Sequence, residues 1–331
     1  MCMKVLLLGA TGLLGHNVLQ QLTTAGHNVV AVVRRRDALQ VDTPDTIIVE
    51  GEITNRTTLL QAAKGCDAII NCAGVTDMSL RHFDDYLPVN MMLCHSIVEV
   101  MKMHGIRRLV HVSTVNTIGY GTPAQPADES VAIKAPFDKS FYAVSKLKGE
   151  AALREAATLH ADWHLVIVNP GYMIGPMDVK PSSGRMLLTA YRKPMMVAPR
   201  GGKSFVDVRD VAAAVVNALT MGHSAARYIA VNSQAQMTVG EMFRLQARVM
   251  GYRQRVVVLP DALLAVAGWL GDVIRLLGVR TELCTRNVRQ LMVREYYDNS
   301  HAISDLQLHQ TPIEESVRDF YAWRDNNGKK T

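Results

Sequence analysis

The feature that most constrains this chain is a glycine-rich turn near its start. An apolar run of strand length ends at Gly9, and two more glycines follow at intervals of three residues, Gly12 and Gly15. Apolar residues then recur at helical spacing from Leu14 to Leu22. A strand, a tight turn and a helix in this order bring bare backbone and the positive end of a helix close to a ligand, which suits phosphate. The pattern predicts a turn that binds the pyrophosphate of a dinucleotide, with a purely structural turn as the alternative.

Further apolar runs of strand length alternate with segments of helical periodicity through the first half of the chain. Continuous apolar strands between helices are typical of a parallel sheet covered on both faces. We therefore expect an α/β fold, a Rossmann doubly wound parallel sheet, with a smaller and mostly helical C-terminal substrate domain. The expected divisions are a dinucleotide-binding domain over 1–175, a return of about 204–222 to it, and a substrate-binding region over 176–331.

The second half has a less regular pattern. A short strand leads into a helix for which Asp210 is the expected N-cap, and strands are expected at 227–231 and 256–259. The expected helices lie at about 238–250, 260–277, 282–294 and 313–326. The apolar helix at 260–277 either packs into the smaller domain or forms a lid over an apolar substrate.

Composition excludes several classes of function. The net charge of +6 is mild and the basic residues are scattered, apart from the run Arg34-Arg35-Arg36, so no nucleic-acid partner is expected. The five cysteines and eleven histidines show no metal-ligand spacing, so no metal is expected. The odd cysteine number and the apparent lack of a signal peptide favour a cytoplasmic protein. The stretch 262–277 is too short and too polar to span a bilayer, so no membrane insertion is expected.

The end of the second strand indicates which dinucleotide binds. The residue closing this strand meets the adenosine ribose, where an acid would select NAD. This chain carries Arg34 and Arg35 there, and guanidinium groups suit a 2′-phosphate. We therefore expect a preference for NADP(H), with Arg34 as the first candidate, Arg35 as the second and NAD(H) as the alternative; an exposed basic loop without a ligand is the competing interpretation. Glu52, after the third strand, is a candidate acceptor for the adenine amino group.

The chemically most specific pair is Tyr142 and Lys146. Four residues apart, they share one face of a predicted helix. A phenol has an ordinary pKa near 10, and a neighbouring ammonium group would lower it toward the range useful for acid–base catalysis. Such a tyrosine can donate a proton to a carbonyl oxygen during reduction or accept one from an alcohol during oxidation. The adjacent hydroxyls of Ser113 and Thr114, at the end of the fifth strand, could hold the same oxygen.

Taken in order, these motifs resemble those of the extended short-chain dehydrogenase/reductase family, over nearly the whole chain. The stretches that carry the resemblance are Gly9-Ala10-Thr11-Gly12-Leu13-Leu14-Gly15, Cys72-Ala73-Gly74, Val89-Asn90, Ser113-Thr114, Tyr142-Ala143-Val144-Ser145-Lys146 and Asn169-Pro170-Gly171-Tyr172-Met173-Ile174-Gly175-Pro176. The resemblance implies that Tyr142 is the acid/base, that Lys146 lowers its pKa and binds the nicotinamide ribose, and that Thr114 or Ser113 orients the substrate oxygen. It implies a supporting role for Asn90.

The resemblance also implies a set of cofactor contacts drawn from the motifs and the strand ends. The members of this set are Gly9, Thr11, Gly12, Leu13, Leu14, Gly15, Arg34, Arg35, Glu52, Ile53, Cys72, Ala73, Gly74, Tyr142, Lys146, Pro170 and Met173.

Within the family, the chain looks most like the dihydroflavonol-reductase-like group, near the 3β-hydroxysteroid dehydrogenases. Sugar-nucleotide epimerases and dehydratases usually carry arginines where this chain has Asn169 and Lys203. The expected activity is therefore NADP(H)-dependent reduction of a small ketone or aldehyde, or the reverse oxidation. The alternatives are a nucleotide-sugar epimerase or dehydratase and a non-catalytic NADP(H) sensor. Related enzymes often dimerise through helices corresponding to about 90–104 and 142–159, so a homodimer is a further expectation.

Overall fold

A computed structural model describes residues 2–39 and 46–327 of the chain. Seven of its strands form one parallel sheet in the order β10-β6-β5-β4-β1-β2-β3, β11, β9 and β7 form a second sheet, and β12 and β8 pair in a third. The strands are β1 (Lys4–Leu8), β2 (Asn28–Val33), β3 (Ile47–Glu50), β4 (Ala68–Asn71), β5 (Arg108–Val112), β6 (His164–Pro170), β7 (Tyr172–Ile174), β8 (Met195–Ala198), β9 (Gly202–Asp207), β10 (Arg227–Ala230), β11 (Gln236–Thr238) and β12 (Arg255–Val258).

Helices connect these strands and cover the large sheet. The α-helices are α1 (Leu13–Thr24), α2 (Arg56–Ala63), α3 (Leu93–His104), α4 (Phe141–Leu159), α5 (Gly184–Ala190), α6 (Val208–Asn217), α7 (Val239–Val249), α8 (Asp261–Leu276), α9 (Thr285–Gln290), α10 (Ser300–Leu306) and α11 (Ile313–Asn327). Within the described ranges, no helix combines the length and apolar character needed to cross a membrane.

The large sheet has the doubly wound topology that the sequence predicts. From β1 the chain builds outward to β2 and β3, then returns to the other side of β1 for β4, β5 and β6. All these pairings are parallel, so the carboxyl ends of the strands meet at one edge. The order reverses between β1 and β4, and ligands of such sheets bind in the crevice outside this switch point.

Two buried clusters lie on opposite faces of this sheet. Alternate residues of β1 divide between them: Val5 and Leu7 pack toward α1 and α6, and Leu6 and Leu8 pack toward α2, α3 and α4. The sheet is therefore buried on both faces, as continuous apolar strands require. α6 and β10 come from the second half of the chain, yet α6 packs against α1 and β10 extends the large sheet beside β6.

Three local predictions differ from the structure. The N-cap of α6 is Asp207, and Asp210 lies in the first turn and accepts hydrogen bonds from the backbone N–H and hydroxyl of Thr311. The helix expected at about 90–104 begins as one turn of π-helix at Pro88–Met92, before α3. The helix expected over 282–294 is shorter, α9, because the residues after it pair with the start of β9 instead.

Candidate active site

The glycine turn joins β1 to α1, and its backbone packs closely against the first turn of α1. Gly9 has a φ of +82°, which a side chain would disfavour, and its carbonyl accepts from the N–H of Gly12 at 3.1 Å. A Cβ at Gly15 would lie 1.9 Å from the carbonyl oxygen of Gly9, so α1 can pack on the turn only if this residue is glycine. Thr11 is half-buried within the turn.

The start of α1 has the properties of an anion site. Its N-cap, Gly12, gives no side-chain cap, and the first turn contains no acidic residue. The N–H groups of Leu13 and Leu14 stand at the first helical positions, where a helix has no internal acceptors. A Cβ at Gly12 would meet only the oxygen of Gly9, at 3.5 Å, so a ligand can approach the backbone here. These residues fit the pyrophosphate of a dinucleotide.

Three arginines follow β2, and the structure distinguishes the two predicted to bind phosphate, Arg34 and Arg35. The guanidinium of Arg35 is held by the carboxylate of Asp37, at 2.9 Å from Nε to Oδ1 and 2.5 Å from Nη2 to Oδ2. Arg34 is exposed and, among the described residues, has no ion-pair or hydrogen-bond partner. Arg34 is therefore the guanidinium available to a phosphate at the ribose end of the site.

The ends of β3 and β4 complete the cofactor edge. Glu52 is exposed after β3, and Ile53 is half-buried against the core. A Cβ at Gly9 would lie 2.6 Å from the backbone nitrogen of Ala73, which shows how closely the end of β4 approaches the glycine turn. Burial raises the pKa of Cys72, the residue before Ala73, to about 12, so its thiol stays neutral at this edge.

The predicted acid/base lies at the same edge of the sheet. Tyr142 is half-buried in the first turn of α4, and the side chain of Thr114, just after β5, is near enough to lower the pKa of its hydroxyl. The hydroxyl oxygen of Ser113 is buried and has no hydrogen-bond partner in the described structure. Of the two adjacent hydroxyls, that of Thr114 is the one that affects the tyrosine.

Lys146 is buried one helical turn further along α4. Its ammonium group donates to the carbonyl oxygen of Val112 at 2.7 Å and lies 3.4 Å from Nε2 of His111. A Cβ at Gly74 would be 3.9 Å from the Nζ of Lys146, so the end of β4 also borders this group. The amide of Asn71 lies 3.1 Å from the other ring nitrogen of His111.

Burial decides the protonation of these groups. Burial raises the pKa of Tyr142 to about 12, and the nearby side chain of Thr114 offsets only part of this rise. The sequence predicts a lowered pKa instead. The difference arises because loss of water disfavours the phenolate more than its surroundings stabilise it. Burial also lowers the pKa of Lys146, and it lowers the pKa of His111 well below its ordinary value, an effect that Lys146 adds to. His111 is therefore neutral near pH 7.

Asn90 ties three segments together beneath the pair. Its Oδ1 accepts from the N–H of Val75 at 2.8 Å, and its Nδ2 donates to the carbonyl of Val75 at 3.1 Å and to the hydroxyl of Ser145 at 2.9 Å. The turn of π-helix at 88–92 places this buried amide, and such turns often occur at functional sites. The loop after β4 is thereby fixed to α4 beside Lys146.

Asn169, in β6, supports Thr114 from behind. Its Nδ2 donates to the carbonyl oxygen of Thr114 at 3.1 Å, to the hydroxyl of Thr117 at 3.1 Å and to a carboxylate oxygen of Glu150 at 3.0 Å. Thr117 also donates to Glu150 at 2.7 Å. All these side chains are buried, so the network fixes the segment after β5 against α4. Pro170 is the buried last residue of β6.

Several residues of this site could not be identified from the sequence. Three buried residues of the site carry no local signal in the sequence: His111, which contacts Lys146, Asn71, which contacts His111, and Glu150, which accepts from Thr117. Met173, predicted to contact the cofactor, lies half-buried in β7 against the core cluster of α1 and α6. Lys203, at a position where epimerases carry arginine, forms an ion pair with the buried carboxylate of Glu295.

The fold and site define an NAD(P)-dependent oxidoreductase of the extended short-chain dehydrogenase/reductase type. The model of the NAD dependent epimerase/dehydratase family matches residues 5–232, and the chain belongs to this family.

Proteins with similar sequences carry names of reductases and sterol enzymes. A putative dihydroflavonol 4-reductase of Synechocystis is 29% identical over 97% of this chain and 94% of its own. Sterol demethylase protein B of Methylococcus capsulatus is 26% identical over 97% of this chain and 98% of its own. Among solved structures, that of gox2253 superposes with a TM-score of 0.81 at 22% identity, over 99% of both chains. These comparisons confirm the predicted fold and family.

Proposed function

We propose that this protein is an NADP(H)-dependent reductase of an apolar ketone or aldehyde, or the corresponding alcohol dehydrogenase. The observation that carries the proposal is the position of Tyr142 one helical turn before Lys146, whose ammonium donates to the carbonyl of Val112 at the end of β5, with the side chain of Thr114 near the phenol. A proton donor and a second hydroxyl thus face the crevice in which a dinucleotide would lie.

The residues of the chain account for the proton and the orientation of the substrate. When bound, the nicotinamide supplies the hydride that adds to the carbonyl carbon. Tyr142 donates its proton to the carbonyl oxygen, which becomes the hydroxyl of the alcohol, and the hydroxyl of Thr114 holds that oxygen in place. In the reverse direction, the same tyrosine accepts the proton of the alcohol.

The raised pKa of Tyr142 favours the reductive direction. A phenol with a pKa of about 12 keeps its proton at neutral pH, as a proton donor must. Lys146, whose ammonium group donates to the carbonyl of Val112, would bind the nicotinamide ribose when the cofactor is present.

Preference for NADP(H) over NAD(H) rests on Arg34. Its side chain is exposed at the end of β2 and, among the described residues, is unpaired, whereas Arg35 is bound to Asp37. An unpaired guanidinium suits a phosphate monoester, since each N–H group can donate to a phosphate oxygen.

An apolar substrate is proposed from the aromatic rings near Tyr142 and from the names of similar proteins. The ring of Phe141 meets that of Phe83 edge-on at 5.7 Å and carries the guanidinium of Arg286 over its face at 3.6 Å. The names of the similar sterol and dihydroflavonol proteins agree with such a substrate. The clamp for a nucleotide diphosphate is incomplete, because Lys203 is paired with Glu295.

The test is a panel of alicyclic, aromatic and long-chain carbonyl compounds with NADPH, followed at the nicotinamide absorbance. Tyr142→Phe is expected to lower turnover at least ~100-fold while NADPH still binds. Tyr191→Phe removes the same hydroxyl from the separate cluster around α7 and α11, and full activity is expected. Unchanged turnover in Tyr142→Phe would refute the assignment. Copurified cofactor that is regenerated rather than consumed would indicate an epimerase instead.

A further inference from the structure

The outer face of α8 is unlike the surface of an ordinary helix. Within the fully described segment 262–279, every exposed side chain is apolar. The fractional exposure of the larger ones runs from 38% to 82%. Six that define this outer face are Leu263, Val266, Trp269, Leu270, Ile274 and Leu277. Contiguous apolar surface of this kind marks an interaction site.

The polar groups of the same helix point the opposite way. The carboxylate of Asp272 accepts from the N–H of Thr285 at 3.3 Å, and Arg275 donates to the carbonyl oxygens of Thr281, Met78 and Ser79 at 2.9–3.1 Å. Glycines on this inner side let α8 lie directly on the chain at 283–285. The usual arrangement of a surface helix, with apolar side inward and charge outward, is thus inverted.

The exposed charges in the segments that flank α8 along the chain are mostly basic. Among exposed residues of 251–289, the charged ones are Arg253, Arg255, Arg280, Arg289 and Glu282. Glu282 is already neutralised by an ion pair with Arg185. The whole chain also carries a net charge of +6. In the described structure, the arginines in these flanking segments form no ion pair. An apolar helix face flanked in the chain by such arginines complements a lipid surface, which is apolar inside and can carry anionic headgroups.

We propose that α8 docks the protein on the surface of a membrane containing anionic phospholipid. The apolar side chains would enter the interfacial layer, Trp269 would lie at the level of the headgroups, and the arginines would meet the lipid phosphates. This is contact with one leaflet and not a membrane span. A second copy of the chain suits the face less well, because a symmetric contact would bring the same arginines together.

The position of α8 connects docking to the active site. Arg275 bonds the carbonyls of Met78 and Ser79 in the loop after β4, the same loop that Asn90 fixes beside Lys146. A membrane-bound α8 would hold the substrate side of the site near lipid, from which an apolar carbonyl compound could enter. This last step rests on the proposed reductase function, and the docking itself does not.

The experiment is sedimentation of the full chain with lipid vesicles, without NADPH or substrate. Vesicles of phosphatidylcholine with about 30 mol% phosphatidylglycerol are compared with vesicles of phosphatidylcholine alone. We expect stronger binding to the anionic vesicles. The double variant Leu270→Glu/Leu277→Glu is expected to bind them at least about tenfold more weakly, because it puts two charges into the docking face. The control, Ile47→Glu/Ile303→Glu, places two charges at exposed apolar positions of β3 and α10 and is expected to bind like the wild type.

A second readout follows the helix itself. Trp269 is 62% exposed, so its emission should shift to shorter wavelength with anionic vesicles, and Trp269→Phe should abolish the shift. Wild-type protein that stays in the supernatant with both kinds of vesicle would overturn the proposal. The proposal would also be overturned if light scattering showed that the wild type is a dimer and that the Leu270→Glu/Leu277→Glu variant is a monomer. The carbonyl panel uses no lipid and the sedimentation experiment uses no substrate. The first therefore tests the reductase assignment alone, and the second tests membrane docking alone.

Discussion

Alanine substitution at two neighbouring glycines should separate folding from cofactor binding. Gly12 has extended backbone, with φ −85° and ψ 168°, which alanine adopts readily. Its new Cβ would make one ordinary contact, 3.5 Å from the oxygen of Gly9. Alanine is a poorer N-cap than glycine. It also lowers the conformational entropy of the unfolded chain, which stabilises the folded protein by about 0.4–1 kcal/mol. We expect Gly12→Ala to change the free energy of unfolding by less than about 1 kcal/mol.

The same methyl group would stand where a pyrophosphate approaches the turn. Loss of one charge-assisted hydrogen bond to phosphate costs about 1.5–3 kcal/mol, so NADPH should bind about 10- to 100-fold more weakly. Gly15→Ala is the opposite case, because its Cβ would lie 1.9 Å and 2.7 Å from the carbonyl oxygen and carbon of Gly9. The main chain must move, and overpacking of this kind costs about 1–3 kcal/mol, only partly offset by the better helix propensity of alanine.

Thermal unfolding followed by circular dichroism and NADPH titration followed by protein fluorescence measure the two effects. We expect Gly12→Ala to melt within a few degrees of the wild type but to bind NADPH poorly. Gly15→Ala should melt clearly lower. A Gly12→Ala variant that binds NADPH as tightly as the wild type would refute the pyrophosphate position. Equal loss of stability in both variants would refute the account of the packing.

Three further predictions concern the cofactor, the support of the site and the proton. Arg34→Ala should weaken NADPH binding about tenfold and leave NADH binding nearly unchanged. Arg35→Ala should alter the binding of neither cofactor. If a fluorescence titration showed that Arg34→Ala weakens NADPH and NADH binding equally, Arg34 would have no role in binding the 2′-phosphate. Asn169→Ala should lower kcat at least about tenfold without changing the Kd for NADPH, because it frees the backbone of Thr114; an unchanged kcat in steady-state assays would contradict this. Since burial raises the pKa of Tyr142 to about 12, the rate of carbonyl reduction should be nearly constant between about pH 6 and about pH 9. The rate of alcohol oxidation, which needs the phenolate, should rise with pH throughout this range. An oxidation rate that levels off near neutral pH would show that the pKa of Tyr142 is lowered instead.

The local parts of the site could be read from the sequence. Strand, glycine turn and helix are consecutive, and Tyr142 and Lys146 share a helix face by their spacing alone. The alternation of apolar strands and helices was sufficient to predict a doubly wound sheet, and the structure has that order. The prediction of an N-cap at Asp210 was wrong by one turn, since only the fold shows that this carboxylate is engaged by Thr311.

The sequence by itself thus determined that a strand, a glycine turn and a helix follow one another and that Tyr142 and Lys146 share a helix face, because both follow from short spacings along the chain. Only the tertiary structure decided that the side chain of Thr114 lies near Tyr142, that Asn169 donates to the carbonyl of Thr114, and that burial raises the pKa of the phenol. It alone also turned the apolar side of α8 outward. The physical reason is that burial, and hydrogen bonds between residues far apart in sequence, exist only after packing has excluded water and fixed distant strands and helices side by side.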